Sequence, residues 1–184
     1  MALLREDMEE MWFFGYGSLM WRPGFEYVEA KRAHLHGLHR RLCIYSHIHR
    51  GTPERPGLVL GLDRGGSCRG MVFRVDAEVQ AQVLAYLRER EMANGVYYEA
   101  MRRVRCDDGT SVQALCYCAV RGHEQYAPVM GTEATLKLVN GAVGQSGRNE
   151  DYVISTVDKI RAMGARDLPL ERVANALRQS ALAS

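Results

Sequence analysis

The order of the apolar runs constrains the fold most. Between residues 11 and 120 the hydrophobic segments are short, rich in β-branched and aromatic residues, and punctuated by glycine and aspartate. After residue 131 only helix-period segments remain. The first run, Met11-Trp12-Phe13-Phe14, ends at Gly15-Tyr16-Gly17-Ser18, which suits a buried strand entering a tight loop. Further strands are expected over residues 41–45, 58–62, 70–75, 98–106 and 112–120. Asp63-Arg64-Gly65-Gly66 reads as a turn between two of them, and Asp107-Asp108-Gly109 as the turn of a hairpin. In the second hairpin strand, Cys116 and Cys118 should face one way and Tyr117 the other.

One helix interrupts the strands and three follow them. Asp76 suits an N-cap for a helix over residues 77–91, whose Val79, Val83, Leu84, Tyr86 and Leu87 form one stripe. Helices are expected over 132–143, over 149–163 with Asn149 as cap and Gly164 as terminator, and over 169–183 with Pro169 in the first turn. Strands first and helices late give an α+β protein with a mostly antiparallel sheet or small barrel. No repeat or linker divides the chain, so a single domain is expected, with a core over about 12–163 and a terminal helix after it.

Composition excludes several classes. At 184 residues the chain can bury roughly 70% of its extended surface without metal or disulfides. Lys+Arg 24 against Asp+Glu 22 lacks the basic excess of a nucleic-acid binder, and no run approaches the ~18–20 apolar residues of a membrane span. Glu6, Asp7, Glu9 and Glu10 are wrong for the cationic start of a signal peptide. Five cysteines without a CxxC pair read as reduced thiols, which places the chain in the cytoplasm.

Among the polar residues Glu91 is the most informative. At about 100° per residue it projects between Leu84 and Leu87, on the face that should be buried. A carboxyl in apolar surroundings is pushed toward neutrality, the condition of a useful general base. The competing reading is a helix end in solvent, or a pair with Arg90. The loop Gly15-Tyr16-Gly17-Ser18-Leu19-Met20 is the second candidate, since two glycines let backbone amides approach a ligand closely. It is neither a dinucleotide fingerprint nor a P-loop: Met20 stands where a third glycine belongs, and no Gly-Lys-Ser/Thr follows. His34, His36, His39, His47 and His49 lack a cysteine or carboxylate cluster to complete a metal set. The basic residues Lys31, Arg32, Arg40, Arg41 and Arg50 read as a solvated face, or as an attractor for an anionic substrate.

The run Phe14-Gly15-Tyr16-Gly17-Ser18-Leu19-Met20-Trp21 resembles the opening motif of the ChaC-type γ-glutamylcyclotransferases. The resemblance continues in order through Gly37-Leu38-His39-Arg40-Arg41, Arg50-Gly51-Thr52, Gly70-Met71-Val72-Phe73-Arg74-Val75, Arg90-Glu91-Met92 and Ser146-Gly147-Arg148-Asn149 with Tyr152. Gln145 stands where the family often has Pro. The resemblance implies a cyclotransferase-type small barrel with flanking helices. It implies cleavage of glutathione to 5-oxoproline and cysteinylglycine without cofactor. It makes Glu91 the catalytic acid/base, Gly15, Tyr16, Gly17, Ser18, Leu19 and Met20 the substrate loop, and Tyr97, Tyr117 and Tyr126 pocket tyrosines. The alternatives are another γ-glutamyl dipeptide or amine as substrate, or a non-catalytic ligand-binding module on the same fold.

Overall fold

A computed structural model describes residues 11–182; the acidic start, Glu6 to Glu10, lies outside them. Five strands close a barrel in the order β1-β3-β2-β4-β5: β1 (Met11–Gly15), β2 (Glu29–Ser46), β3 (Gly57–Val75), β4 (Tyr97–Cys106) and β5 (Ser111–Ala119). Neighbours run antiparallel, except that β1 lies parallel to β5 through Trp12 and Phe13, and β3 touches β5 in parallel at Leu62. Helix α1 (Gln80–Met92) separates β3 from β4. Three more follow the barrel: α2 (Thr132–Val139), α3 (Asn149–Ala162) and α4 (Leu168–Leu182), with a two-residue hairpin, β6 (Val143–Gly144) and β7 (Gly147–Arg148), before α3. The fold is the α+β barrel with flanking helices that the sequence suggested.

Strand alternation builds two apolar clusters. Phe14, Leu60, Leu62, Cys116 and Cys118 pack with Val153, Val157 and Ile160 of α3 and Leu170 and Leu177 of α4. Phe13, Ile44, Leu115 and Tyr117 pack instead with Val83 and Leu87 of α1. Cys116 and Tyr117 therefore do point opposite ways, and Asp107-Asp108-Gly109 does turn the β4–β5 hairpin, with Gly109 at φ 87°.

Three local expectations are corrected. Asp63-Arg64-Gly65-Gly66 does not separate two strands. Residues 57–75 form one strand, and Gly65 and Gly66, at φ 94° and 65°, sit in an irregularity where the pairing with β2 slips between His36 and Leu38. Glycine with positive φ serves a bulge as well as a turn, and here it bends a long strand around the barrel. Asp76 precedes α1 by more than a cap: its Oδ1 accepts from Glu78 N at 2.9 Å and the helix begins only at Gln80. Asn149 does not cap α3. Its amide pairs with both backbone groups of Leu58, Oδ1 accepting from N at 2.7 Å and Nδ2 donating to O at 2.8 Å, which docks α3 onto the start of β3. Asp167 caps α4 instead, its Oδ1 accepting from Leu170 N at 3.2 Å. Among the described residues no helix is long and apolar enough to cross a membrane.

Candidate active site

A cleft of about 770 Å³ opens between the loop after β1, the end of α1, the start of β4, the β2–β3 connection and the start of α3. Glu91 reaches it because Val83, Leu87 and Glu91 succeed one another at four-residue steps on the buried face of α1; Val83 and Leu87 are sealed in the core. The Glu91 side chain is 18% exposed, and its cationic neighbour, Arg90, lies with Nε 3.3 Å from Oε1. Burial raises the carboxyl pKa and Arg90 opposes the rise without cancelling it. Arg90 is occupied elsewhere: Nη2 donates to Ser18 Oγ at 2.7 Å, and Nη1 to the carbonyls of Arg22 and Pro23 at 3.1 Å each. The arginine thus straps α1 to the glycine loop and leaves the carboxylate one long ion pair.

The loop after β1 tightens into a 3₁₀ turn at Ser18–Met20, with Met20 N bonded to Gly17 O at 3.0 Å. Small size is required where the loop meets α3, since a Cβ on Gly17 would lie 3.1 Å from the Tyr152 hydroxyl. Behind the loop the buried Arg40 donates through Nη1 to Tyr16 O at 2.8 Å and through Nε to Asp167 Oδ2 at 3.0 Å, which ties the loop to the α4 cap. Tyr16, Gly17, Ser18 and Leu19 line the cleft. Gly15 and Met20 stand outside its lining: Gly15 pairs with Met71 in the sheet, and Met20 is packed in the core beside Arg40.

Four tyrosines surround the carboxylate. Tyr97 donates to Leu60 O at 2.7 Å and Tyr16 to Tyr117 O at 2.9 Å, while the Tyr152 hydroxyl accepts from Leu60 N at 3.1 Å. Tyr117 donates to Glu99 Oε1 at 3.3 Å, and Arg88 grips both oxygens of Glu99 at 2.8 Å. Burial raises the pKa of all four phenols, with the Glu91 charge adding to it, so they stay protonated. Among the described residues the Tyr152 hydroxyl proton has no acceptor, while Tyr16 and Tyr97 keep lone pairs. Tyr126 is not among the cleft residues. Its hydroxyl donates to Asp63 at 2.6 Å and accepts from Arg41 Nη2 at 2.7 Å, so the pocket role expected for it has no geometry here.

The expected basic face is broken up by the fold. Lys31 pairs with Glu29 and Asp108, Arg40 with Asp167 and Arg41 with Asp63; Arg50 turns to the cleft. Sequence reasoning missed Tyr152 as a site residue and weighed Arg50 only as one of a basic face that attracts an anionic substrate. Both sit in motifs already noted, and an aromatic three residues after the start of α3 was the available signal. Among the described residues no group of three or more His, Cys, Asp or Glu could hold a metal ion.

Known proteins match this arrangement over most of the chain. A family profile described as ChaC-like protein covers residues 11–180. A glutathione-specific gamma-glutamylcyclotransferase of Escherichia coli is 34% identical over 163 residues, spanning 89% of this chain and 71% of its own. Human glutathione-specific gamma-glutamylcyclotransferase 1 is 30% identical over 93% of this chain and 80% of its own. The crystal structure of a yeast gamma-glutamyl cyclotransferase specific to glutathione superposes with a TM-score of 0.83 over 92% of this chain and 96% of its own, at 20% identity. The chain belongs to the ChaC-like family.

Proposed function

We propose that this protein is a glutathione-specific γ-glutamylcyclotransferase, forming 5-oxoproline and cysteinylglycine with Glu91 as the proton carrier. The observation that carries the reading is a half-starved carboxylate in a cleft that also holds the Tyr16–Leu19 loop. A γ-glutamyl group brings its own nucleophile, because its α-amine can attack the γ-carbonyl and close a five-membered lactam. Holding the two atoms ~3–3.5 Å apart exploits intramolecular attack, up to ~7–11 kcal/mol of barrier.

The amine arrives as an ammonium, so Glu91 first removes a proton. The nitrogen attacks, the carbonyl oxygen gains charge, and the C–N bond to cysteine breaks as Glu91 returns a proton to the departing nitrogen. Over the cycle the α-nitrogen loses two protons and the leaving nitrogen gains two, so the carboxyl ends as it began. Its raised pKa suits both halves of that shuttle. We assign Tyr152, whose hydroxyl accepts from Leu60 N, as donor to the developing oxyanion, and the first amides of the 3₁₀ turn as the binders of the α-carboxylate.

A cytoplasmic setting belongs to the same proposal. All five cysteines are free and buried, and burial pushes the Cys43 thiol up to about 12, far from thiolate chemistry. Incubation of purified protein with glutathione and with γ-Glu-Ala, following 5-oxoproline, tests the reading. Release from glutathione alone is expected. Release from both points to the broader dipeptide activity, and release from neither to a binding module.

A further inference from the structure

The β2–β3 connection presents a cation to the cleft, Arg50, with which no described carboxylate forms an ion pair. Its backbone is tightly fixed: Arg50 N donates to Ser46 Oγ at 2.9 Å, and a Cβ on Gly51 would lie 2.6 Å from Ser46 O and 2.7 Å from Arg55 O. The β6–β7 turn braces it from outside, with Gln145 N bonded to Ile48 O at 2.8 Å and Ser146 N to His49 O at 2.9 Å. From this platform the Arg50 guanidinium lies over the Tyr152 ring, 5.3 Å from its centroid, and Nη1 donates to Arg148 O at 3.1 Å. No carboxylate among the described residues comes within 4.0 Å of it, whereas Arg90 has Glu91 and Arg88 has Glu99. Half-burial lowers its pKa and Arg22 adds to that, against the opposing fields of Tyr152 and Asp151; burial also lowers the pKa of His49, with Arg90 and Arg50 adding to it. The wall is short of an anion.

Tyr152 sets the distance. Its hydroxyl lies beside Gly17, where the γ-glutamyl head group is read to bind, and its ring lies under Arg50, so the tyrosine side chain stands between that loop and the guanidinium in the same cleft. The amides of the Ser18–Met20 turn are read to bind the α-carboxylate of the head group, and Arg90 is engaged by Ser18 and Glu91. A γ-glutamyl tripeptide carries a second carboxylate at its far end, within a reach of ~3.3–3.6 Å per residue. We propose that Arg50 recognises the C-terminal carboxylate of the acceptor peptide and thereby selects γ-glutamyl peptides with a free C-terminus. This rests on the cyclotransferase reading, and it adds a specificity residue to it.

The test compares glutathione with glutathione amidated at its glycine, in the wild type, Arg50→Met and Arg50→Lys. Methionine keeps an apolar stem over Tyr152 and removes the charge. A charge-assisted bond at a partly buried site sets a preference of about 10–100-fold in kcat/KM for the free acid. The wild type should show that preference, expressed in KM. Arg50→Met should bring the ratio of the two substrates close to one, and Arg50→Lys should restore part of it. A ratio unchanged in Arg50→Met overturns the proposal, and so does a wild type indifferent to the amide. Calorimetric titration of both ligands keeps the question separate from turnover. If no 5-oxoproline forms from either compound, the cyclotransferase reading fails, while the binding ratio and its response to Arg50→Met still decide the subsite.

Discussion

Two carboxylates withdrawn from water are treated in opposite ways. Asp63, in the middle of β3, is almost fully buried and answered on every side. Arg121 Nε and Tyr126 Oη reach it at 2.6 Å, Arg64 N at 2.8 Å, and Arg41 through Nη2 and Nε at 3.0 and 3.2 Å. Burial alone would raise its pKa, but these donors outweigh burial and hold it well below the usual carboxylate range. Glu91 receives one long contact from an arginine engaged elsewhere, and there burial wins. A structural carboxylate is satisfied until it cannot take a proton; one meant to carry protons is left unsatisfied.

The sharpest way to break the contrast is to exchange each acid for a neutral residue. Glu91→Gln keeps shape and removes proton transfer, so kcat for 5-oxoproline release should fall ~10²–10⁴-fold while calorimetry still detects glutathione binding. Near-normal turnover would remove Glu91 from the chemistry. In the wild type, the acidic limb of kcat/KM should lie above the ordinary carboxyl range. Asp63→Ala should act on stability instead. Stripping one partner from a fully buried ion pair costs ~3–5 kcal/mol, but Arg121 is half in water, so about 2–4 kcal/mol is expected, a drop in Tm of roughly 5–15 °C. The Asp63 pKa is depressed on folding, so its contribution is complete above the unfolded value near ~4 and is lost progressively as pH falls from there toward the lower folded one. The gap between Asp63→Ala and the wild type should therefore narrow in acid; a gap constant down to pH 3 contradicts a charged Asp63.

Tyr126→Phe probes the boundary between the two regions with a smaller effect. It deletes one donor to Asp63 at a side chain outside the cleft lining, so a loss of about 0.5–1.5 kcal/mol in denaturant unfolding is expected with kcat for glutathione intact. A selective rise in KM would put Tyr126 back in the pocket.

The same contrast explains what the sequence could reveal. Glu91 was legible because helical periodicity projects it between Leu84 and Leu87, and a lone acid on an apolar stripe stands out. The β4–β5 hairpin was legible because Asp-Asp-Gly has few other uses in a chain of alternating strands. Asp63 was not: inside Asp63-Arg64-Gly65-Gly66 it reads as turn chemistry, and the partners that bury it come from residues 41, 121 and 126. Gly65 and Gly66 carry the same left-handed backbone in a bulge as in a turn, so one long strand looked like two. Asn149 has the composition of a cap, and only its docking on Leu58 reveals a different use. Closure through the parallel β1–β5 pair joins segments about a hundred residues apart, which local pattern does not encode. In the cleft, Tyr97 and Tyr117 followed from family resemblance, whereas Tyr152 needed the fold to bring α3 against the β2–β3 connection, and so did separating Arg50 from the rest of the basic face.

The smallest expected effect is the most revealing about Glu91. Because folding raises its pKa, the folded protein binds a proton there more tightly than the unfolded chain does. The favourable contribution is complete below the unfolded value near ~4.3 and is lost as pH rises through the folded one. At neutral pH the ionised side chain therefore costs stability, which Glu91→Gln should recover: its Tm should exceed the wild type's at pH 7, and the difference should shrink toward pH 4. That sign is the reverse of the one expected for Asp63→Ala, and it holds although glutamine gives up the contact with Arg90. If Glu91→Gln melts lower at pH 7, the Arg90 pair outweighs desolvation, and the two carboxylates differ in degree rather than in kind.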